Sequence, residues 1–238
     1  MKMPFVKFTS LALIWLAIYW QAAQAQNTSP QAMISNLNQL WTGGDMGNFE
    51  TVTPSSGFGF MFETGATPYT LDTVTFELIV GNLATLDVQL YSVQGSLGSP
   101  NPNLALVGLL GNPVFDSRPT QWPSYTSFID FSPINSITLA PNTYYLIGVT
   151  EPVNGDDSNA LTFNFNYSYT VSDDWSLPAA YTFWHYSTSR LHPYGWFPSA
   201  AGGSMMLEVD ATPVPEPAAS ILLLLACVFF GVATPHRR

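Results

Sequence analysis

The sequence contains a single cysteine, Cys227, and it lies inside an apolar run near the C-terminus. The rest of the chain has no thiol for a disulfide, for a cysteine-ligated metal or for a nucleophilic cysteine. A domain without disulfides must be stabilised by a hydrophobic core. Residues 26–213 are long enough to bury one.

The chain is also poor in positive charge, with six Lys and Arg residues against sixteen Asp and Glu. Within residues 26–213 only Arg118 and Arg190 are basic, against fifteen acidic residues, which gives a net charge of about −13. Nucleic acids and anionic lipid headgroups are bound through Lys and Arg that neutralise phosphate. The composition therefore excludes nucleic acid as a partner and a role in binding anionic headgroups.

Catalytic motifs are missing as well. The sequence has no G-x-S-x-G elbow, no H-E-x-x-H helix and no glycine-rich phosphate loop. Carboxylates such as Glu63, Glu77 and Asp130 could serve as the acid and nucleophile of a glycosidase, but nothing in the sequence pairs them. We expect the protein not to be an enzyme.

The N-terminus, "MKMPFVKFTSLALIWLAIYWQAAQAQ", has the features of an export signal. Two lysines precede an apolar segment, Leu11–Trp20, that is far shorter than the roughly 20 residues needed to span a membrane. Ala23 and Ala25 then provide the A-x-A spacing that signal peptidase accepts. We expect residues 1–25 to be a signal peptide cleaved after Ala25.

Between the two ends the hydrophobic pattern has a period of two. In "LTFNFNYSYTV", apolar and aromatic residues from Leu161 to Val171 alternate with small polar ones, which is typical of a half-buried β-strand. "DTVTFELIV" and "LDVQLYS" repeat the pattern, and segments rich in Pro, Gly and Asn separate them. The sequence predicts an all-β fold over residues 50–211, namely an antiparallel β-sandwich of jelly-roll or immunoglobulin-like type.

Residues 26–49 precede this predicted domain. They contain "SPQAMISNLNQLW", which is the one segment with a helical pattern. We expect it to be a leader at the mature N-terminus.

Pro215, Glu216 and Pro217 belong to "VPEP" at 214–217, which is followed by the apolar run 218–233 and a basic tail at 236–238 containing Arg237 and Arg238. This order of features resembles the PEP-CTERM sorting signal of Gram-negative bacteria over residues 212–238. The resemblance implies processing by an exosortase, a membrane-embedded transpeptidase-like enzyme, near the tripeptide.

The apolar run itself favours transient insertion in the inner membrane. Its 16 residues form about 24 Å of helix, which is shorter than a hydrocarbon core of roughly 30 Å. The positive-inside rule would keep the two terminal arginines cytoplasmic and the domain outside. The alternative is an ordinary transmembrane helix that anchors the protein permanently.

The segment before this tail resembles the choice-of-anchor R β-domains over roughly residues 50–210. The resemblance lies in "FMFETGATPYTLDTVTFELI", "LDVQLYS", "SITLAPNTYYLIGVT" and the following "DDWSL". Because these families have no assigned biochemical activity, it implies a β-fold and a surface location only.

The segment "YTFWHYSTSRLHPYGWFPS" supplies the one candidate ligand site with aromatic character. Trp184 and Trp196 could stack on sugar rings while Arg190 donates hydrogen bonds. The alternative is that Trp184 fills the core of the β-fold and the histidines lie in loops. His185 and His192 lack a third ligand and make a poor zinc motif.

Asp156 and Asp157 in "NGDDSN" are candidates for calcium ligands, since Ca²⁺ prefers clustered oxygen donors. The segment lacks EF-hand spacing, and a hairpin turn explains the same residues. Beyond possible calcium we expect no cofactor.

Together these features predict an exported protein of the cell surface or extracellular matrix with a structural or adhesive role. Its expected partners are signal peptidase, an exosortase, exopolysaccharide and, transiently, the inner membrane. The alternative function is that of a carbohydrate-binding module on the cell surface.

Overall fold

A computed structural model of the protein describes residues 29–37, 48–94, 103–118, 126–152, 155, 157–164, 168–178, 182–187, 195–198 and 204–214. Within them the chain forms β-strands joined by turns, one turn of 3₁₀-helix at Leu83–Thr85 and no α-helix. The strands are β1 (Gln31–Ser35), β2 (Asn48–Thr51), β3 (Ser56–Glu63), β4 (Tyr69–Ile79), β5 (Asp87–Gln94), β6 (Asn103–Phe115), β7 (Thr126–Pro133), β8 (Ile137–Leu139), β9 (Tyr144–Thr150), β10 (Ala160–Asn164), β11 (Thr170–Val171), β12 (Phe183–Ser187), β13 (Gly195–Pro198), β14 (Ser204–Met205) and β15 (Leu207–Pro213).

The strands pair in one continuous sheet. Its order is β11-β1-β15-β4-β7-β6-β5-β9-β3-β12-β13. The four strands off this path attach through β10, which pairs with β14, β2 and β4, and through β8, which pairs with β4. Every pair whose register is described is antiparallel. The predicted all-β antiparallel fold is confirmed.

Strand β6 bends between two neighbours and so curls the sheet. Its first part, Asn103–Leu110, pairs with β5, and from Leu110 onwards it pairs with β7. The register shifts between Gly111 and Val114, where Asn112 has a φ of 50° and precedes a proline. Strands that change partner commonly bend at such irregularities.

A single main core results from this curl. Buried residues of β3, β5 and β9 share one hydrophobic cluster with those of β4, β7 and β15. In β4 the predicted alternation is confirmed, because Val74, Phe76 and Leu78 all point into this cluster. Strands from both parts of the curled sheet therefore contribute to one core.

The start of the sheet differs from the prediction. The segment predicted as a leader with helical character contains β1, which pairs with β15 on one side and β11 on the other. Asn36 extends this contact, since its side chain donates to the carbonyl of Met205 at 2.9 Å and accepts from the amide of Leu207 at 2.9 Å. Partners from the far end of the chain thus override a weak local helical pattern.

Residues 30–212 form one compact unit, so the domain begins earlier than the predicted residue 50. Residues 1–29 and 213–238 form a second unit, of which the structure describes Ser29, Pro213 and Val214. The described residues include no helix long and apolar enough to cross a membrane. The predicted signal peptide (1–25) and transmembrane helix (218–233) lie outside the described residues.

Candidate functional site

A second cluster of large side chains lies on the face of the sheet opposite the main core. Its buried members are Met61, Leu146, Trp184 and Trp196, from β3, β9, β12 and β13. The partly buried residues packed against it are Tyr91, Val93, Leu104, Tyr144 and Tyr186. We call these nine residues the outer aromatic cluster. It contains both tryptophans that the sequence suggested for carbohydrate binding.

The indole of Trp196 lies against two glycines that face each other across the ladder between β3 and β9. Gly59 and Gly148 are direct partners in that ladder. A Cβ atom on Gly59 would lie 2.9 Å from Cζ3 of Trp196, and one on Gly148 would lie closer still to its Cζ2 atom. The absence of both Cβ atoms lets the ring rest on the backbone.

This packing corrects the carbohydrate-contact prediction. Trp184 is 1% exposed and Trp196 is 7% exposed, so neither indole presents a face on which a sugar could stack. Arg190, the third predicted contact, lies outside the described residues. Trp184 is buried, as the alternative interpretation expected, but in the outer aromatic cluster and not in the main core.

His185 also differs from the expectation that the histidines lie in loops. It belongs to β12, its ring stacks on Phe58 with centroids 5.1 Å apart, and its Nε2 lies 2.7 Å from Oγ of Ser56. His192 lies outside the described residues. Among the residues that are described, no group of three or more His, Cys, Asp or Glu side chains is arranged to hold a metal ion.

The predicted calcium turn is organised by a buried carboxylate. Glu151 accepts hydrogen bonds from the Asp157 amide at 3.2 Å and from Nδ2 of Asn159 at 3.2 Å. Asp157 is exposed and has a φ of 52°. The Thr85 hydroxyl also donates to Oε1 of Glu151, at 3.5 Å. Glu151 thus accepts hydrogen bonds from the turn and from the segment beside it, which fits the hairpin-turn alternative. Asp156 lies outside the described residues.

Sequence reasoning missed a charged group on the outer face of β7 and β15. Arg118 bonds to Asp116 through Nε and donates from Nη1 to Glu208 at 2.7 Å, while its guanidinium lies 5.5 Å from the ring centroid of Phe128. Burial alone would raise the pKa of Asp116, but the hydrogen bonds and charge of Arg118 outweigh it and lower that pKa. Arg118 thus holds two acids on one face.

Glu77 lies on the same face, directly opposite Phe128 in the ladder between β4 and β7. It is fully buried, and its Oε1 accepts a hydrogen bond from Oγ1 of Thr126 at 2.8 Å. Oε2 has no hydrogen-bond partner among the described residues. Burial raises the pKa of Glu77 to about 7, against the opposing effect of the Thr126 hydrogen bond.

Threonine hydroxyls hold the neighbouring carboxylates. Thr75 donates to Asp130 at 2.6 Å, and Thr73 donates to Asp210 at 2.9 Å. Burial raises the pKa of Asp210 although the Thr73 hydrogen bond opposes the shift. The sequence signal for this face is the alternation of threonine with acids in "DTVTFE" and "EVDAT". These hydroxyl-bonded acids form a fixed negative surface.

The sorting residues lie outside the described part of the chain. They are Pro215, Glu216 and Pro217 of the tripeptide, Ala23 and Ala25 of the cleavage site, and Arg237 and Arg238 of the tail. No model of a known protein family matches the sequence. No curated protein matches it at a significant level. The described features define an acidic, antiparallel all-β domain without cysteine.

Proposed function

We propose that this protein is exported to the cell surface or extracellular matrix of a Gram-negative bacterium, where it is structural or adhesive and associates with exopolysaccharide. Its delivery would use the signal peptide 1–25 and a PEP-CTERM signal processed by an exosortase. In this proposal the curled sheet is a β-sandwich of the choice-of-anchor type. The shared core of its two halves and the bend of β6 support that form.

The observation that carries the proposal is the position of the tripeptide relative to the end of the sheet. β15 ends at Pro213, and Pro215 follows after a single residue. Leu207, Val209 and Ala211 of β15 are buried in the main core. A cut near Pro215–Pro217 would therefore leave the folded domain complete, as a removable sorting label requires.

The electrostatics of the domain support a location among neutral or hydrated polymers. Arg118 is the sole Lys or Arg of the described residues, and two carboxylates already engage it. The negative surface is therefore not offset by a free cation in this part of the chain. Such a surface favours solubility and disfavours adsorption to anionic lipid or nucleic acid. No observation favours the carbohydrate-binding alternative, since both candidate tryptophans are buried.

Replacing Glu216 by Ala tests the sorting proposal. We expect the uncut precursor of Glu216→Ala to accumulate in the inner membrane, whereas the unaltered chain is released or transferred to the surface. Pulse-chase labelling with membrane fractionation and mass spectrometry of the C-terminus measures both species. Glu50→Ala, an exposed acid on β2, is the matched control and should be processed normally. Unchanged processing of Glu216→Ala would refute the proposed signal.

A further inference from the structure

The large hydrophobic side chains that the described residues leave exposed are concentrated on one strand. Five of them lie on β6 and the sixth, on the turn after β7, packs over Gly111 of β6. They are Leu106, Val107, Leu109, Val114, Phe115 and Ile134, with exposures between 39% and 60%. We call these six residues the β6 strip. Large contiguous apolar patches on soluble proteins mark interaction sites.

The β6 strip continues an apolar surface that is already partly built. Leu106 is the ladder partner of Tyr91, and Leu104 is the partner of Val93. Tyr91, Val93 and Leu104 belong to the partly exposed margin of the outer aromatic cluster. Leu106 therefore extends a packed surface and is not an isolated side chain.

The first half of β6 also has an open edge. Within the described part of the chain, Asn103–Gly108 have ladder partners on the β5 side alone. The second half pairs with β7 alone, and it contains Pro113, which lacks an N–H to donate. The first half is therefore the better template for a further strand, because each residue on its open edge retains both backbone groups.

This edge lacks the protection that natural sheets normally have. Exposed edge strands usually carry charged residues, especially lysine, that prevent pairing with another chain. No Asp, Glu, Lys or Arg occurs between Asp87 and Asp116, although the surrounding domain is rich in acids. A long apolar edge without any charge is thus the exception on an otherwise negative molecule.

We propose that β6 is a self-association edge, through which two copies of this chain pair by their Asn103–Gly108 segments about a two-fold axis. Two antiparallel copies of one strand are self-complementary, as a two-fold interface requires. Two negatively charged molecules repel each other, so they approach at the lowest cost where neither carries charge. The uncharged stretch around β6 provides that contact. This inference goes beyond the proposed function and does not depend on the sorting signal.

Cysteine cross-linking in the exporting cells tests the contact with the full chain. Cys227→Ser removes the one native thiol, and Leu106→Cys or Val107→Cys then places a single thiol on β6. Thr138→Cys, an exposed residue on β8, is the matched control. A short bis-maleimide should yield a covalent dimer from the β6 positions and none from position 138. Equal dimer from all positions, or none from β6, would overturn the proposal.

Sedimentation equilibrium of the exported protein purified from these cells gives the second readout. Leu106→Lys should weaken association at least about tenfold, while Thr138→Lys, which makes the same change in charge, should leave it unaltered. Added NaCl should strengthen association of the unaltered protein, because it screens like charges. Circular dichroism checks folding, and if Leu106→Lys fails to fold, the Val107→Cys cross-link decides.

Three results would overturn self-association. The first is a protein that stays monomeric at every salt concentration, and the second is a Leu106→Lys variant that associates as the unaltered protein does. The third is a monomer that binds phosphatidylcholine vesicles and loses this binding in Leu106→Lys. That result would identify an apolar lipid surface as the partner in place of a second copy.

Discussion

Gly59 and Gly148 stabilise the outer face by leaving space for the indole of Trp196. They are partners in the ladder between β3 and β9, so no side chain covers the backbone at this point of the outer face. The indole of Trp196 packs there. Trp196 also packs against Tyr186, with ring centroids 5.4 Å apart. The outer aromatic cluster therefore depends on the absence of two side chains as much as on the presence of its rings.

Gly148→Ala should destabilise the domain by about 1–3 kcal/mol, because the added methyl group would overlap a rigid, buried ring. Chemical denaturation followed by tryptophan fluorescence measures the free energy of unfolding. Gly111→Ala is the matched control, since its methyl group would meet only the flexible, exposed side chain of Ile134. The control should change stability by less than about 0.5 kcal/mol. Equal losses in both variants would contradict this account.

The buried carboxyl of Glu77 gives stability a pH dependence of known sign. Its pKa in the folded chain, about 7, exceeds the value of about 4.3 in an unfolded chain. Between these pH values the folded state holds a proton that the unfolded state has released. The contribution of Glu77 to the free energy of unfolding is therefore full below about pH 4, and it is lost as the pH rises to about 7.

Glu77→Gln should remove this pH dependence, because an amide does not ionise and its oxygen can still accept from Thr126. We expect the variant to exceed the unaltered protein in stability at pH 8, by on the order of 3–4 kcal/mol, and to match it near pH 4. Urea denaturation between pH 4 and 8 measures the difference. Glu50→Gln removes the same charge from an exposed site and should leave the pH profile unchanged. A Glu77→Gln profile parallel to that of the unaltered protein would contradict the assignment.

At the scale of the element, β1 shows how a distant partner decides the structure of a short segment. Ile34 is fully buried in the main core, and its ladder partners are Val209 of β15 and Val171 of β11. Asn36 then bonds to two backbone groups of the chain around β15 through its side-chain amide. The segment is thus part of the domain and not a leader in front of it.

Ile34→Ala should cost about 2–4 kcal/mol in the free energy of unfolding, as expected for truncation of a fully buried side chain. Thermal or chemical denaturation measures the loss. Ala32→Ser, at an exposed position of the same strand, should have little effect. If residues 26–49 were a detached leader, Ile34→Ala would be as neutral as Ala32→Ser.

The sequence was most informative for strands with a clean alternation. From Val74 to Leu78 of β4 every second residue is apolar, and the structure buries Val74, Phe76 and Leu78 as expected. In "LTFNFNYSYTV" the strand β10 ends at Asn164, and Thr170–Val171 form a separate strand, β11, on the far edge of the sheet. Thr162 is also buried, so β10 is covered on both faces. Alternation predicts a strand, but its partners are chosen by contacts distant in sequence.

The candidate site was less predictable for the same reason. Trp184 and Trp196 have the composition of a sugar-binding surface, and only the ladder shows that both are buried over glycines. Glu77 has the same sequence context as an exposed acid of a half-buried strand. Its neighbours come from other parts of the chain: Phe128 is its ladder partner, and the Met206 carbonyl accepts from its backbone amide.

At the scale of the whole molecule, the dominant feature is unbalanced negative charge. The portion from residue 26 to residue 213 carries a net charge of about −13. Mutual repulsion of these charges destabilises the compact state, and salt screens it. The ion pairs of Arg118 act in the opposite direction but involve one cation.

Raising NaCl from low ionic strength to about 0.15 M should therefore stabilise the domain by about 1 kcal/mol. For a domain of this size the expected rise in Tm is about 2–4 °C. Scanning calorimetry at a series of salt concentrations measures it, and sucrose at equal osmolarity separates screening from solute exclusion. A Tm that falls with NaCl would show that the ion pairs of Arg118 outweigh the general repulsion.

The place of β15 in the sheet has a mechanical consequence. This last strand lies between β1 and β4, with ladder neighbours on both sides. A pull on the C-terminus, with the body of the sheet held in place, would act along β15 and load both ladders in shear. Their hydrogen bonds would then resist together and not open one after another, as they would on an edge strand. Pulling β15 out of the sheet in this way would therefore take more force than removing a strand at its edge.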